Sequence, residues 1–425
     1  MYGALFLCWE VPLTVPAGLL VAARGGDGLS TTTRNRSRTK GDVDSSFMDR
    51  AFELAERGRG ATSPNPVVGA VIVKDGEIVG AGYHERYGGP HAEVNALAQA
   101  GSRASGATLY VTLEPCSISG KTPPCTDAIV AAGIARTVVP VLDPNPRVSG
   151  RGVSILREAG VEVELGLMRE QARTLNAPYF KYRSTGLPFT TLKLALSLDG
   201  RIAPPPGGPR WTSSAASREL VHTMRAKADC VMVGIGTVLA DDPRLTVRRA
   251  ETGGQVAGGG SPESEPRQPA RLVLDTQLRI PADSAIVTGA RAVRTIVACC
   301  HSVDSSRRAA LENAGVTVWR SAARDGALDL AFVLRRAAGE GFISLLSEGG
   351  ASVASSLLQG GLVDRVAFFV APRLYGAGGT PAFGPLDESW WTGLRGFENG
   401  RWTEIGGDGL FEADVINSEP SKESA

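Results

Sequence analysis

Pro90-His-Ala-Glu-Val-Asn-Ala-Leu-Ala98, then Thr108-Leu-Tyr-Val-Thr-Leu-Glu-Pro-Cys116, then Cys125: the rest of the chain is organised around this stretch. His91, Cys116 and Cys125 supply one imidazole and two thiols. That set suits zinc, which in catalytic sites takes three protein ligands and keeps a fourth position for water. Glu93, two residues beyond the histidine, is left over as a carboxylate able to move protons for that water. Local signals bring these groups together. Pro90 suits the first turn of a helix that Val94, Ala96, Leu97 and Ala98 continue, and Thr108–Leu113 reads as a strand. Cys125-Thr-Asp-Ala-Ile-Val-Ala-Ala-Gly133 reads as a second helix stopped by glycine. At that helix's start the backbone dipole favours the Cys125 thiolate. Taken singly, such cysteines and histidines are usually core residues; the joint spacing carries the metal reading.

Working outward, 425 residues leave room for two domains, each with its own core. A formal net charge of +1 implies no polyanion partner and argues against nucleic acid. Six cysteines, two in the metal set and two adjacent at Cys299 and Cys300, make no disulfide framework. A reducing, cytoplasmic setting is therefore expected. No apolar run approaches the ~20 residues of a membrane span. Residues 1–46 have an apolar start followed by Arg24, Arg34, Arg36, Arg38 and Lys40 among Ser, Thr and Gly. They read as a disordered extension from an upstream start codon, with an organelle transit peptide as the alternative.

A first domain is expected over residues 47–187. A helix at 47–57 leads through Thr62-Ser-Pro-Asn-Pro66 into strands at 67–73 and 78–83, a hairpin turning at Asp75-Gly76. Asn65, held extended between prolines, either presents its amide to a heterocycle's edge or caps a turn. His84 has no ligand partner at helical or hairpin spacing and reads as a surface or pocket residue. Strands at 137–141 and 161–165 around a helix at 150–159 complete an α/β alternation, which predicts three layers.

The second domain, 188–416, is again α/β. Strands are expected at 189–197, 230–234, 271–275, 294–300, 316–319, 342–347 and 365–370, with helices at 214–226, 305–314, 327–339 and 351–359. Glu251–Pro269, rich in Gly, Pro, Ser and Glu, reads as a mobile insertion, and residues 417–425 as a disordered tail. Two stretches here suggest chemistry. Ser347-Glu-Gly-Gly-Ala-Ser352 follows an apolar strand and opens a helix, a place for phosphate or simply a turn. Ala240-Asp-Asp-Pro-Arg-Leu-Thr-Val-Arg248 sets paired acids before arginines, which a salt-bridged turn would also explain.

Thr62-Ser-Pro-Asn-Pro66, His91-Ala-Glu-Val-Asn95, Leu113-Glu-Pro-Cys116, Gly120-Lys-Thr-Pro-Pro-Cys125 and Asp143-Pro-Asn-Pro146 resemble the bifunctional deaminase/reductases of riboflavin biosynthesis. Most of the wider deaminase superfamily carries Cys-x-x-Cys, whereas here eight residues separate Cys116 from Cys125. Leu192-Lys-Leu-Ala-Leu-Ser-Leu-Asp-Gly-Arg201, Trp211-Thr-Ser213, Thr237-Val-Leu-Ala-Asp-Asp-Pro243 and Glu348-Gly-Gly350 resemble the family's reductase half. The resemblance spans about residues 47–415. It implies an N-terminal cytidine-deaminase-like three-layer α/β/α domain with one zinc ion and Glu93 catalytic. It also implies a C-terminal dihydrofolate-reductase-like α/β domain using NADPH, in a protein that self-associates.

The resemblance also assigns roles. Ala195, Trp211, Thr237, Asp241, Gly349, Gly350, Ala351, Ser352, Val353, Ala354 and Ser355 would line the cofactor. Asn65, Lys121, Lys193, Asp199, Arg225, Leu245, Arg248 and Glu348 would face substrate, with Lys121 and the arginines toward its phosphate. Two positions depart from the pattern: Ser117-Ile118-Ser119 stand where the family often has His, and Pro209 replaces a substrate-contacting Ser. Pro209 motivates the alternative of a deaminase with a degenerate second half. An RNA deaminase and a zinc-stabilised binding module are further rivals, opposed by the balanced charge and by the unpaired Glu93.

Overall fold

The computed structural model describes residues 39–120, 122–248, 267–324, 326–390, 392 and 395–417. The expectations for residues 1–38, for Lys121, for most of the 251–269 insertion and for 418–425 lie outside the described residues.

The first half runs α1 (Lys40–Glu56), β1 (Gly69–Lys74), β2 (Glu77–Tyr83), α2 (Ala92–Ala100), β3 (Thr108–Val111), α3 (Cys125–Ala131) and β4 (Arg136–Val139). It closes with α4 (Arg151–Glu158), β5 (Glu162–Leu165), α5 (Arg169–Leu175) and α6 (Ala177–Thr185). The sheet order is β2-β1-β3-β4-β5, with β1 antiparallel to both neighbours and β3, β4 and β5 parallel. Alternation along β1 sends Val71 and Val73 to one face, against Met48, Phe52 and Tyr179. Ala70 and Ile72 go to the other face, against Ala92, Ala96, Cys125, Ile129 and Leu156. The result is the expected α/β/α stack. Gly80 and Gly82 set how closely α2 approaches: a Cβ on them would fall 2.3 Å from the Ala96 carbonyl oxygen and 2.5 Å from its nitrogen.

One boundary is corrected. α1 begins at Lys40 rather than at 47, because Thr39 and Asp42 form a capping box. Asp44, which falls within the stretch expected to be disordered, is buried and pairs with Arg136 at 2.6 Å. Residues 39–46 therefore belong to the fold.

Gly186, left-handed at φ 69°, ends α6. The second half then runs β6 (Phe189–Ser197), β7 (Arg201–Ala203), α7 (Ala215–Lys227), β8 (Cys230–Gly234), α8 (Ile235–Asp241), β9 (Ala270–Leu274), α9 (Ala285–Thr288) and β10 (Thr295–Cys300). α10 (Ser305–Asn313), β11 (Thr317–Ser321), β12 (Ala323–Arg324), β13 (Ala327–Leu328), α11 (Leu330–Gly339), β14 (Ser344–Ser347) and α12 (Ala351–Gln359) follow. β15 (Arg365–Ala371), β16 (Thr380–Pro381), β17 (Gly396–Ile405) and β18 (Asp408–Ile416) complete it. Nine strands form one sheet, β11-β10-β9-β8-β14-β6-β15-β18-β17, parallel up to β15 and antiparallel beyond it. The β17–β18 hairpin was not read from the sequence: β17 is mostly exposed, so its residues lack the alternation of a half-buried strand.

Central β6 shows that alternation clearly. Leu192, Leu194 and Leu196 enter the core, leaving Lys193 and Ala195 on the opposite face. The insertion also proves shorter than expected at its C-terminal end. Arg267 pairs with Asp229 at 3.2 Å, and Gln268 exchanges hydrogen bonds with the backbone of Val247. The two halves touch through Lys181 and Asp364, 2.5 Å apart, and through Ile343, which packs into the first half's core. No helix among the described residues is long and apolar enough to cross a membrane.

Candidate active sites

The first site forms where α2 and α3 begin. His91 caps α2 in an extended conformation, and Cys125 opens α3 after Pro124. His91 Nδ1 lies 3.2 Å from Cys125 Sγ and 3.4 Å from Cys116 Sγ. The three ligand atoms all lie within 4.8 Å of one another. Two thiols and one imidazole nitrogen in that space fit a tetrahedral zinc with one position left for water. Thr122 Oγ1, 3.4 Å from His91 Nε2, meets the ring's other nitrogen, as an outer partner of a metal-bound histidine does.

Glu93 is 3 % exposed and within hydrogen-bond reach of Cys125. Burial first, and the neighbouring Cys116 second, push its carboxyl up to about 7. Hydrogen bonds from Cys125 and His91 hold the Cys116 thiol well below its usual range, while Cys125, the donor, is pushed far up.

Two supports around this site were not legible beforehand. The Glu114 carboxylate accepts from the backbone N–H groups of Asp143, Gly150 and Val153 at 3.0, 3.0 and 3.3 Å. It thereby pins the Pro115-Cys116 ribbon to the loop before α4. His84, expected at the surface or in a pocket, is 2 % exposed. Its Nδ1 donates to the Pro90 carbonyl at 2.9 Å, so its Nε2 accepts from Asn65 Nδ2 at 3.2 Å. Asn65 is thus fixed with its oxygen and second N–H uncommitted to His84. Only tertiary contact shows this, since the partners lie 19 residues apart.

The second site centres on Glu348, just past β14. Arg225 donates Nε–H to Oε1 at 2.6 Å and Nη2–H to Oε2 at 2.9 Å, and Lys193 Nζ stands 3.7 Å from Oε2. Burial would raise the Glu348 carboxyl, but the two cations outweigh it and hold it at about 2. Lys193 is pulled down by burial, against the pull of Glu348. His222 Nδ1 accepts the Arg248 backbone N–H at 3.3 Å beside this group. That histidine was overlooked, although Arg218, His222 and Arg225 repeat at helical spacing.

Beside the carboxylate, α12 starts without a side-chain cap. A Cβ on Gly349 would fall 2.7 Å from Val353, and one on Gly350 3.7 Å from Thr237 Oγ1. A close turn that opens a helix onto Thr237 fits a dinucleotide's phosphates. Ala351 and Val353 are half-buried there and Ser352 is exposed, with Ala195 half-buried on β6.

Several expected contacts fall elsewhere. The Arg225 fork is filled by Glu348, so it is not open to a phosphate. Leu245 is left-handed at φ 52° with its side chain in the core, which leaves only its main chain to meet a ligand. The Asp199 carboxylate accepts from Ser197 Oγ and from the N–H groups of Tyr375 and Gly376, bracing a turn. Ala354 lies in the core, and Ser355 Oγ accepts from Gly384 N–H at 2.9 Å. Arg248, Trp211 and Asp241 stay exposed.

Comparison with known proteins agrees with this division. Residues 42–141 match the cytidine and deoxycytidylate deaminase zinc-binding region, and residues 188–398 match the RibD C-terminal domain. The riboflavin biosynthesis protein RibD of Escherichia coli is 44 % identical over 341 residues, 79 % of this chain and 89 % of that protein. That of Aquifex aeolicus is 42 % identical over 337 residues, with the same shares covered. The solved structure of Acinetobacter baumannii RibD superposes with a TM-score of 0.77 at 36 % identity, over 89 % of this chain and 100 % of that one. A Thermotoga maritima diaminohydroxyphosphoribosylaminopyrimidine deaminase/5-amino-6-(5-phosphoribosylamino)uracil reductase gives 0.74 at 34 % identity, with the same coverage. With a zinc-type deaminase site in one half and a reductase domain in the other, the chain belongs to the RibD family of bifunctional riboflavin-biosynthesis proteins.

Proposed function

We propose that the chain catalyses both steps in sequence, as a hydrolase and then as an NADP-dependent oxidoreductase. It deaminates 2,5-diamino-6-(5-phosphoribosylamino)pyrimidin-4(3H)-one and then reduces the ribosyl group of the product to ribitylamino. The convergence of His91, Cys116 and Cys125 on buried Glu93 carries this reading, in a chain whose other half holds the Glu348 cluster.

Zinc, held by His91 Nδ1 and the two thiolates, would supply the Lewis acidity that makes water nucleophilic near neutral pH. Glu93 takes the proton from the attacking water and returns it to the amino group that leaves as ammonia. Asn65, oriented by His84, meets the edge of the pyrimidine, and Lys121 takes the substrate phosphate.

NADPH, held by Thr237 and the turn at Gly349 and Gly350, would supply hydride to C1′ of the ribosyl group, the carbon that stays bonded to the amine nitrogen. Lys193, desolvated and steadied by Glu348, gives a proton to the ring oxygen as its bond to C1′ breaks. Arg225 fixes Glu348, and Arg248 offers an exposed cation to the phosphate. Self-association and a cytoplasmic setting belong to the same reading, the latter supported by the free thiols of all five described cysteines.

The test is a coupled assay on zinc-loaded protein with the diaminopyrimidinone phosphate, following ammonia and NADPH separately. Release of ammonia with matched loss of NADPH is expected. Ammonia alone would refute the second step, and absence of ammonia would refute the first.

A further inference from the structure

Asn65 lies between the end of α1 at Glu56 and the start of β1 at Gly69, in a segment that belongs to no helix or strand. Pro64 and Pro66 flank it and give no N–H. The first residue beyond Asn65 that can both donate and accept through its main chain is therefore Val67, and Asn176 takes both groups. Asn176 Oδ1 accepts the Val67 N–H at 2.9 Å, and its Nδ2 donates to the Val67 carbonyl at 2.9 Å. One planar amide stands in for a neighbouring strand, and it is 3 % exposed.

The clamp comes from the junction of the two halves. Asn176 separates α5 from α6, and α6 runs on toward the second half, where its Lys181 pairs with Asp364. The second half also touches the segment directly. A Cβ on Gly60, at φ 85°, would fall 2.7 Å from the Ala226 carbonyl oxygen in α7, and one on Gly341 would fall 3.8 Å from Pro64 Cδ. Ile343 is buried in the core that holds Val67 and Tyr179. At Gly58 the segment meets His84, whose carbonyl oxygen would lie 2.3 Å from a Cβ there. Asn65 is thus set between His84, which orients its amide, and a backing drawn from the α5–α6 joint and the second half.

We propose that Asn176 is a positioning residue for the deamination, holding Asn65 toward the pyrimidine, with Ile343 of the second half backing the same segment. The proposal rests on the deaminase reading above and deepens it: two residues remote from the metal ligands, one of them in the reductase half, set substrate affinity at the first site.

Steady-state ammonia release by the full-length, zinc-loaded protein tests it. Asn65→Ala and Asn176→Ala should each lower kcat/KM about tenfold or more, chiefly through KM, and Ile343→Ala about fivefold. Zinc content, and NADPH oxidation with separately supplied deaminated product, should stay within about twofold of wild type. Because Asn176 acts through Asn65, adding Asn176→Ala to Asn65→Ala should cost nothing further, whereas a general loss of packing would multiply the two effects. Asn176→Asp keeps the volume and the acceptor but loses the donated bond; it should show the same pattern, and it carries the test if the alanine variant does not fold. Values of kcat/KM within about twofold of wild type in the Asn176 variants would overturn the proposal, as would losses that multiply with Asn65→Ala. Normal deamination by Asn65→Ala would refute the substrate role of Asn65 and the proposal with it, and a wild type releasing no ammonia would refute the deaminase reading itself.

Discussion

In the first half, two thiols and the Glu93 carboxyl crowd around a single imidazole; in the second, Glu348 sits between Arg225 and Lys193. Both groups are largely removed from solvent, yet they balance charge differently. In the first group burial raises Glu93 and Cys125 is pushed up, while Cys116 is held below its usual range. In the second group Arg225 and Lys193 hold Glu348 at about 2. A dication from outside would complete the first, whereas the chain's own cations complete the second. Burial of acids with too little positive charge makes a site that depends on its metal, and burial of a paired acid makes one that is ready before any ligand arrives.

The largest effect should come from Glu93. Glu93→Gln keeps the shape and removes the proton carrier, so ammonia release should fall about 10²–10⁴-fold with zinc content unchanged. Metal analysis beside the rate separates this from loss of the ion, and near-normal turnover would show that another group moves the proton. Zinc removal is the next test. Chelation, or Cys116→Ser, should abolish ammonia release and lower the melting of the first half, while reduction of separately supplied deaminated product continues. If both halves melt together, the contrast between the sites fails.

Glu348→Gln leaves Arg225 and Lys193 buried without their counter-charge, at a cost of about 3 kcal/mol to the second half. Denaturant unfolding measures it, and a change near zero would mean that the pair is better solvated than its side-chain exposures of 9 % and 14 % imply. The smallest effect concerns pH. Glu348 is depressed in the folded protein, so its stabilisation is complete above its ordinary value of 4.5 and is lost as pH falls toward about 2. Acid unfolding of the second half should therefore be shallower between those limits in Glu348→Gln than in wild type.

Arg225 shows where reading from the sequence stopped short. Its presence in the pocket was legible, but a guanidinium's partner was not, because Glu348 lies 123 residues away. Leu245 shows the same limit in another form: a left-handed backbone turns its side chain into the core. For β17, exposure on most of its length removed the periodic signal that local sequence supplies elsewhere.

The sequence alone pointed to the candidate set His91, Cys116 and Cys125, to the spare Glu93, to many of the strands and helices up to β15, and to a division near Gly186. These rest on residue type, spacing and local periodicity, which short-range backbone preference fixes. Only the tertiary structure decided that Asp44 joins the fold through Arg136, 92 residues distant, and that His84 orients Asn65. It also decided that Glu348 is paired before any ligand binds, and that Asn176 clamps Val67 from 109 residues away. Side-chain partnership depends on which distant segments pack together, and no local pattern encodes that.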